Sequence, residues 1–285
     1  MRNKKVVYYL LIGFLVGISI LLYPAISDFW NSKRQTKAIY EYESVLQNLN
    51  PEDYTAIFEN AEAYNKALYE LRDPLVDYEK VEGYFDTLKV GREEVMGYIN
   101  IDRIKVELPI YHGTSDAVLS SGVGHLQGSS LPIGGESTHS VLSTHRGLPS
   151  SKLFTDLDRV EIGDTFEITI LDRIYIYQVD QIKIVEPTEV GDLYITEGED
   201  YCTLVTCTPY GINTHRLLVR GVRIETIKER PHIYIANEAF RIDPLIVTPA
   251  VAAPMLFVLL IHLLVKYREP PQQKKGAEND EIQNL

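Results

Sequence analysis

DYCTLVTCTPYGINTHRLLVRGVRIETI, residues 200–227, reads as a strand, a loop and a second strand. Residues 201–207 are rich in Tyr, Thr, Leu and Val and hold no Gly or Pro, which is strand composition. Thr208-Pro209-Tyr210-Gly211 follows, and the proline, which has no N–H to give to a ladder, ends the strand at Cys207. The chain comes back through an eight-residue loop, TPYGINTH, to a run that opens at Arg216. Strands joined this way pair antiparallel with their mouths side by side. The hairpin therefore brings Cys207 and Arg216 within reach of each other.

Cys202 and Cys207 are the only cysteines. Five residues of extended chain set their Cα atoms ~16 Å apart, far beyond the ~7 Å limit for a disulfide. The odd spacing also sends the two side chains to opposite faces of the sheet, so no bond joins them. Cys202, in the body of the strand, suits a buried thiol used as a small hydrophobe. Cys207 lies at a strand mouth beside a loop, where reactive side chains concentrate, and is a candidate nucleophile.

Outward from this hairpin, the period-two pattern extends back to residue 96. MGYINI, VELPIY, HSVLST, FEITI and IYIYQVDQIKIV are strand-like runs broken by Gly, Pro, Asp and Ser clusters. Many short strands at this spacing predict a mainly β fold, a sandwich or closed barrel of ~130–140 residues. Short helical patches over 116–121 and 150–158 fill its crossovers. SVLSTHRG ends one of the strands at His145, before a Gly-Leu-Pro turn.

Upstream of the barrel the period is helical. Ile39, Tyr42, Val45, Leu46 and Leu49 share one face of a helix over 36–49. Asn50-Pro51-Glu52-Asp53 then reads as an N-cap, a proline at the first helical position and two acids in the first turn. The helix that follows lines up Ile57, Phe58, Ala61, Tyr64, Leu68 and Leu71 and stops at Asp73-Pro74.

Two uncharged blocks of 22 residues flank these parts, VVYYLLIGFLVGISILLYPAIS at 6–27 and PLIVTPAVAAPMLFVLLIHLLV at 244–265. Each can cross a hydrocarbon core of ~30 Å. The first is longer than the apolar part of a signal peptide and lacks a small-x-small cleavage site, so it reads as a retained anchor. Arg2, Lys4 and Lys5 precede the first block, and Lys266, Arg268, Lys274 and Lys275 follow the second. Basic flanks mark the cytoplasmic side, so both termini are expected inside and the intervening chain outside. Lys33, Arg34 and Lys37, just past the first block, pull the other way. The expected organisation is a cytoplasmic start at 1–5, an anchor at 6–27, a helical prefix at 28–95 and a β domain at 96–228. A linker at 229–243, a second span at 244–265 and a polar tail at 266–285 complete it. The net charge of −12 argues against a nucleic-acid partner.

TLVTC at 203–207 with a downstream arginine, and a histidine that ends an earlier strand, resembles the signature of the sortases, a family of cysteine transpeptidases. The likeness extends through GYINI, LPIYHGTS, GVGHLQGSSLP, THSVLSTHRGLPSSKLF and LVTCTPYGINTHRLLVRG. With the helical prefix and the second span, it is to the class C, pilus-building sortases. The resemblance implies a sortase-like barrel and a catalytic trio of His145, Cys207 and Arg216. It implies attack by Cys207 on the Thr–Gly carbonyl of a Leu-Pro-x-Thr-Gly-like sorting signal. His145 would protonate the leaving amine, and Arg216 would stabilise the oxyanion or hold the substrate backbone. Pilin subunits with an acceptor lysine are the implied partners. No cofactor is expected.

The resemblance also implies a lid with an Asp-Pro-aromatic motif, whose aspartate pairs with the catalytic arginine and whose ring covers the cysteine. Here the motif reads Asp73-Pro74-Leu75, with Tyr78 as the nearest substitute for the ring. Each site residue also has an ordinary reading: His145 as a loop hydrogen-bonder, Arg216 as one of several strand arginines, Asp73-Pro74 as a helix stop. His125 in GVGHL reads as structural, and His215 should face away from Arg216. His139, His145, His215 and Cys207 lack the pair spacing of a zinc site, and no loop of clustered acids suggests calcium, so no metal is expected.

Overall fold

The structure, a computed structural model, describes residues 2–91, 94–227 and 252–262. The chain divides into two compact units, Met1–Leu22 with Arg241–Leu285, and Tyr23–Phe240. In the first unit lie the start of helix α1 (Arg2–Leu46) and the apolar helical stretch Ala252–His262. Among the described residues α1 is the one helix long and apolar enough to cross a membrane. Of the expected second span, residues 244–251 and 263–265 lie outside the described residues, as do the linker at 229–243 and the tail at 266–285.

The helix expected over 36–49 is not separate: α1 runs through Pro24 to Leu46. No Gly or Pro interrupts residues 25–46, and a single proline removes only one intrahelical bond. In the second unit α1 buries Gln35, Ile39, Tyr42 and Leu46 along one face. Tyr42 ties it to the β domain, since its hydroxyl donates to the Met96 carbonyl at 3.1 Å and accepts from the Leu171 N–H at 2.7 Å. Helix α2 (Pro51–Tyr69) starts as its sequence predicts, and Asp53 accepts the Asn50 N–H at 2.9 Å. Its Asn65 exchanges two hydrogen bonds with the backbone of Leu131, fixing the prefix to a β-domain loop. The helix ends at Tyr69 rather than Asp73. Asp73 instead caps a one-turn helix, α3 (Pro74–Asp77), because proline suits the first helical position better than it stops a helix already ended.

Eight strands close a barrel: β1 (Val95–Ile101), β2 (Val106–His112), β3 (Val123–His125), β4 (Thr138–Ser143), β5 (Thr165–Ile170), β6 (Arg173–Val185), β7 (Asp200–Thr208) and β8 (His215–Ile227). Their order around the barrel is β1-β2-β3-β4-β7-β8-β6-β5. The short helix α4 (Asp116–Ser121) fills the β2–β3 crossover. The patch expected over 150–158 holds turns and only a 3-10 turn at Leu157–Arg159. Closure buries one face of each strand, with Ile99, Ile110, Leu142, Ile168, Tyr177, Leu204 and Val219 all at 1% exposure or less. It also leaves no unpaired edge.

A buried histidine ties the prefix to the barrel. His125 Nε2 lies 2.8 Å from the Ser130 carbonyl, which only accepts, so Nε2 carries the ring proton. Nδ1 then accepts from the Tyr84 hydroxyl at 2.9 Å, and that hydroxyl accepts the Gly113 N–H. Burial pushes the imidazole down to about 4 from 6.5. The unfolded chain therefore takes up this proton as pH falls through 6.5, while the folded chain resists until about 4. Stability should fall by up to about 3 kcal/mol across that window, which subtraction of the His125→Gln denaturation profile isolates. Equal slopes in the two proteins would refute the assignment.

Candidate active site

The β7–β8 hairpin has the register that its sequence predicts, with Cys207 paired directly across from Arg216. Directly opposed residues hold their Cβ atoms ~4.5–5.5 Å apart. Thr208 and His215 also pair, so the loop is Pro209–Thr214, two residues shorter than the run TPYGINTH. Alternation along β7 puts Cys202 inside the barrel, fully buried, and Cys207 on the outer face, half-buried. Burial drives the Cys202 thiol well above its usual range and keeps it protonated. Both thiols are free. Of the two thiols, Cys207 is the one that solvent reaches.

β4 lies on the other side of β7 and runs parallel to it, Ser143 beside Val205. The ladder goes one step further, with the Thr144 N–H donating to the Val205 carbonyl at 3.2 Å. Thr206 Oγ1 donates to the Thr144 carbonyl at 2.9 Å, and Thr144 Oγ1 is held by the carbonyls of Leu119 and Gly122. His145 is the next residue, two past Ser143 as Cys207 is two past Val205. The adjacent ends of β4, β7 and β8 thus carry His145, Cys207 and Arg216 in a row. His145 Nε2 stands 4.0 Å from the Asp116 carboxylate at the start of α4. Arg216 Nη1 donates to the carbonyls of Asn213 and His215, so among the described residues Nη2 and Nε hold no protein partner.

On the same outer face, Val141 of β4, Val205 of β7, Leu218 of β8 and Leu193 form a second apolar cluster outside the barrel core. Leu75 packs on it together with Leu126 and Val185. Pro74 is buried, and a Cβ on Gly128 would come 2.8 Å from the Pro74 carbonyl, so the Asp73-Pro74-Leu75 segment lies directly on that loop. Tyr78 packs on the main core, so Leu75 is the side chain the segment gives to the outer cluster. The expected Asp73–Arg216 pair is absent among the described residues. Asp73 Oδ1 instead accepts from the Tyr194 hydroxyl at 3.0 Å. The contact links residues 121 apart in the chain and has no local sequence signal.

His139 and His215 both have protein partners. His139 places Nδ1 2.9 Å from the Tyr194 carbonyl and Nε2 2.7 Å from Thr203 Oγ1. His215 Nδ1 bonds Thr214 Oγ1. Among the described residues no group of three or more His, Cys, Asp or Glu is placed to hold a metal ion. A half-exposed thiol, a neighbouring imidazole that can carry protons and a permanently charged donor pair can together perform nucleophilic acyl transfer.

Comparison with known proteins agrees with that chemistry. Residues 99–224 match the sortase domain family. The sortase A of Streptococcus agalactiae serotype III is 32% identical over 117 residues, 40% of this chain and 47% of that protein. The chain thus spans about half the length of this curated relative. Sortase C1 of Streptococcus agalactiae is 48% identical with a TM-score of 0.61, covering 66% of this chain and 98% of that structure. A sortase C of Clostridium perfringens, solved with the C-terminal cell wall sorting motif, is 45% identical with a TM-score of 0.59, over 66% and 98% of the two chains.

Proposed function

The chain belongs to the sortase family, and from that premise we propose that it is a class C sortase, a cysteine transpeptidase that polymerises pilins. The observation that carries the reading is the row of His145, Cys207 and Arg216 at three adjacent strand ends. Cys207, as thiolate, attacks the Thr–Gly carbonyl of a Leu-Pro-x-Thr-Gly-like signal, and a tetrahedral oxyanion forms beside Arg216. Collapse breaks the C–N bond, His145 gives the leaving glycine amine its proton, and a thioester to Cys207 remains. A lysine amine of the next pilin then attacks the thioester, loses its proton to His145 and leaves as an isopeptide. The free thiolate is restored.

Class C is supported by the helical prefix, by the Asp73-Pro74-Leu75 segment on the outer face and by the likeness to two sortase C structures. In this reading the segment is a lid, latched by Asp73 and blocked in place by Leu75. Two membrane spans would hold the catalytic unit outside the cell, with both termini in the cytoplasm. Asp73→Ala should raise the labelling rate of Cys207 by roughly two- to fivefold, since the latch is a single part-buried hydrogen bond. Labelling unchanged from wild type would mean that the segment does not gate the thiol.

Incubation of the full chain, in detergent micelles, with a pilin bearing such a signal separates the readings. A ladder of lysine-linked pilins, lost in Cys207→Ala, is expected. Cleavage without a ladder would mark a hydrolase or a cell-wall anchoring sortase. An unchanged assembly phenotype in Cys207→Ala cells would mark a non-catalytic scaffold.

A further inference from the structure

The chemistry above gives no part to Arg146, the residue after His145. Its side chain is only 8% exposed, and Nη2 is ion-paired with Asp158. Nη1 reaches Thr208 Oγ1 through a long hydrogen bond of 3.5 Å, and Thr208 is the residue after Cys207. The guanidinium carbon lies 6.0 Å from the centroid of the Tyr210 ring in the β7–β8 loop. Gly147, at φ +74°, lies on that same ring: a Cβ there would come 2.8 Å from it. One buried cation thus touches the segment after the histidine, the segment after the cysteine and the loop that leads to Arg216.

As a device for stability alone this is a poor arrangement. Arg146 Nε is buried without a hydrogen-bond partner among the described residues. An unfilled donor of this kind costs stability, and an apolar side chain of similar volume would fill the space without that cost. What the arginine supplies, and an apolar residue would not, is a directional link between two separate backbone segments.

We propose that Arg146 is a positioning residue that clamps the His145 loop to the Cys207 strand end, so that imidazole and thiol act as a pair. The clamp works through Thr208 and Tyr210 on one side and Asp158 on the other. The charged and titratable groups around the pair are Asp116 of α4, Asp158, Arg216 of β8 and Tyr210. The inference rests on Cys207 and His145 being the reacting groups.

The test is the pH profile of Cys207 alkylation by iodoacetamide, read peptide by peptide on the full chain in micelles. Wild type, His145→Ala, Arg146→Met and Arg146→Lys are compared over roughly pH 5 to 9. Arg146→Met should move the profile onto that of His145→Ala, with a rate change of about fivefold or more at neutral pH, and Arg146→Lys should stay nearer wild type. Thr208→Val cuts the clamp from the other side and should move the profile in the same direction, which keeps the test open if Arg146→Met does not fold. The proposal is overturned if Arg146→Met and Thr208→Val both follow wild type. It is also overturned if the lysine variant behaves as the methionine one, or if wild type and His145→Ala coincide and leave no pair to hold. Alkylation needs no sorting signal, so loss of the transpeptidase reading would show separately, as an alkylation profile that Arg146→Met shifts in a protein whose wild type forms no acyl adduct.

Discussion

Cys207→Ala is expected to reduce cleavage of a sorting-signal peptide to background, a loss of at least about a thousandfold. Covalent catalysis has no substitute route here, because the only other thiol, Cys202, is fully buried on the inner face of the same strand. Its thiol is also held protonated by burial, so it cannot take over as nucleophile. Cys207→Ser keeps the shape and exposes a much weaker nucleophile, and should fare little better. The fold should survive both changes, since Cys207 is half-buried and takes no part in the apolar clusters. Turnover assays beside thermal denaturation check this. Residual activity above about one per cent in Cys207→Ala would move the nucleophile elsewhere.

Arg216→Ala should lower kcat by about a hundred- to a thousandfold with a much smaller change in KM, the pattern of a donor used in the transition state. Arg216 opens β8 directly across from Cys207, and both of its hydrogen bonds to described residues come from Nη1. Nη2 and Nε can therefore meet an oxyanion that forms on the carbonyl Cys207 attacks. Lysine keeps the charge and loses the planar fork, and it cannot hold the two loop carbonyls and the oxyanion together. Arg216→Lys should accordingly recover little. A loss that falls on KM alone would make Arg216 a substrate anchor instead.

The hairpin of residues 200–227 was legible because a single local pattern, strand composition broken by Thr208-Pro209, sets both its strands and its register. The pairing of Cys207 with Arg216 followed from it, whereas His145, two residues past the end of its strand at Ser143, was singled out only by the family resemblance. The three-residue strand Val123–His125 was not legible as a strand, since alternation needs a longer run to show. The parallel β4–β7 pair, which sets His145 beside Cys207, joins segments some sixty residues apart, and only the family resemblance pointed to it. Asp73 shows the limit of motif reading. Pro74 matched the lid pattern and Leu75 departed from it, but the pattern did not give the partner of Asp73, which is Tyr194, a contact decided by tertiary packing. Arg146 was hidden for a similar reason: beside a histidine in a Gly-Leu-Pro turn an arginine reads as solvated, and only packing against Thr208 and Tyr210 buries it.

In the proposed reaction Cys207 carries the acyl group. The direct measurement is the mass of the Cys207 peptide after the full chain, with Asp73→Ala to free the thiol, is mixed with a Leu-Pro-x-Thr-Gly peptide and quenched in acid. The expected result is an adduct on Cys207 equal to the peptide truncated after Thr, removable by hydroxylamine and absent from His145→Ala at the same time point. No adduct on Cys207, or the same adduct on another residue, would contradict it.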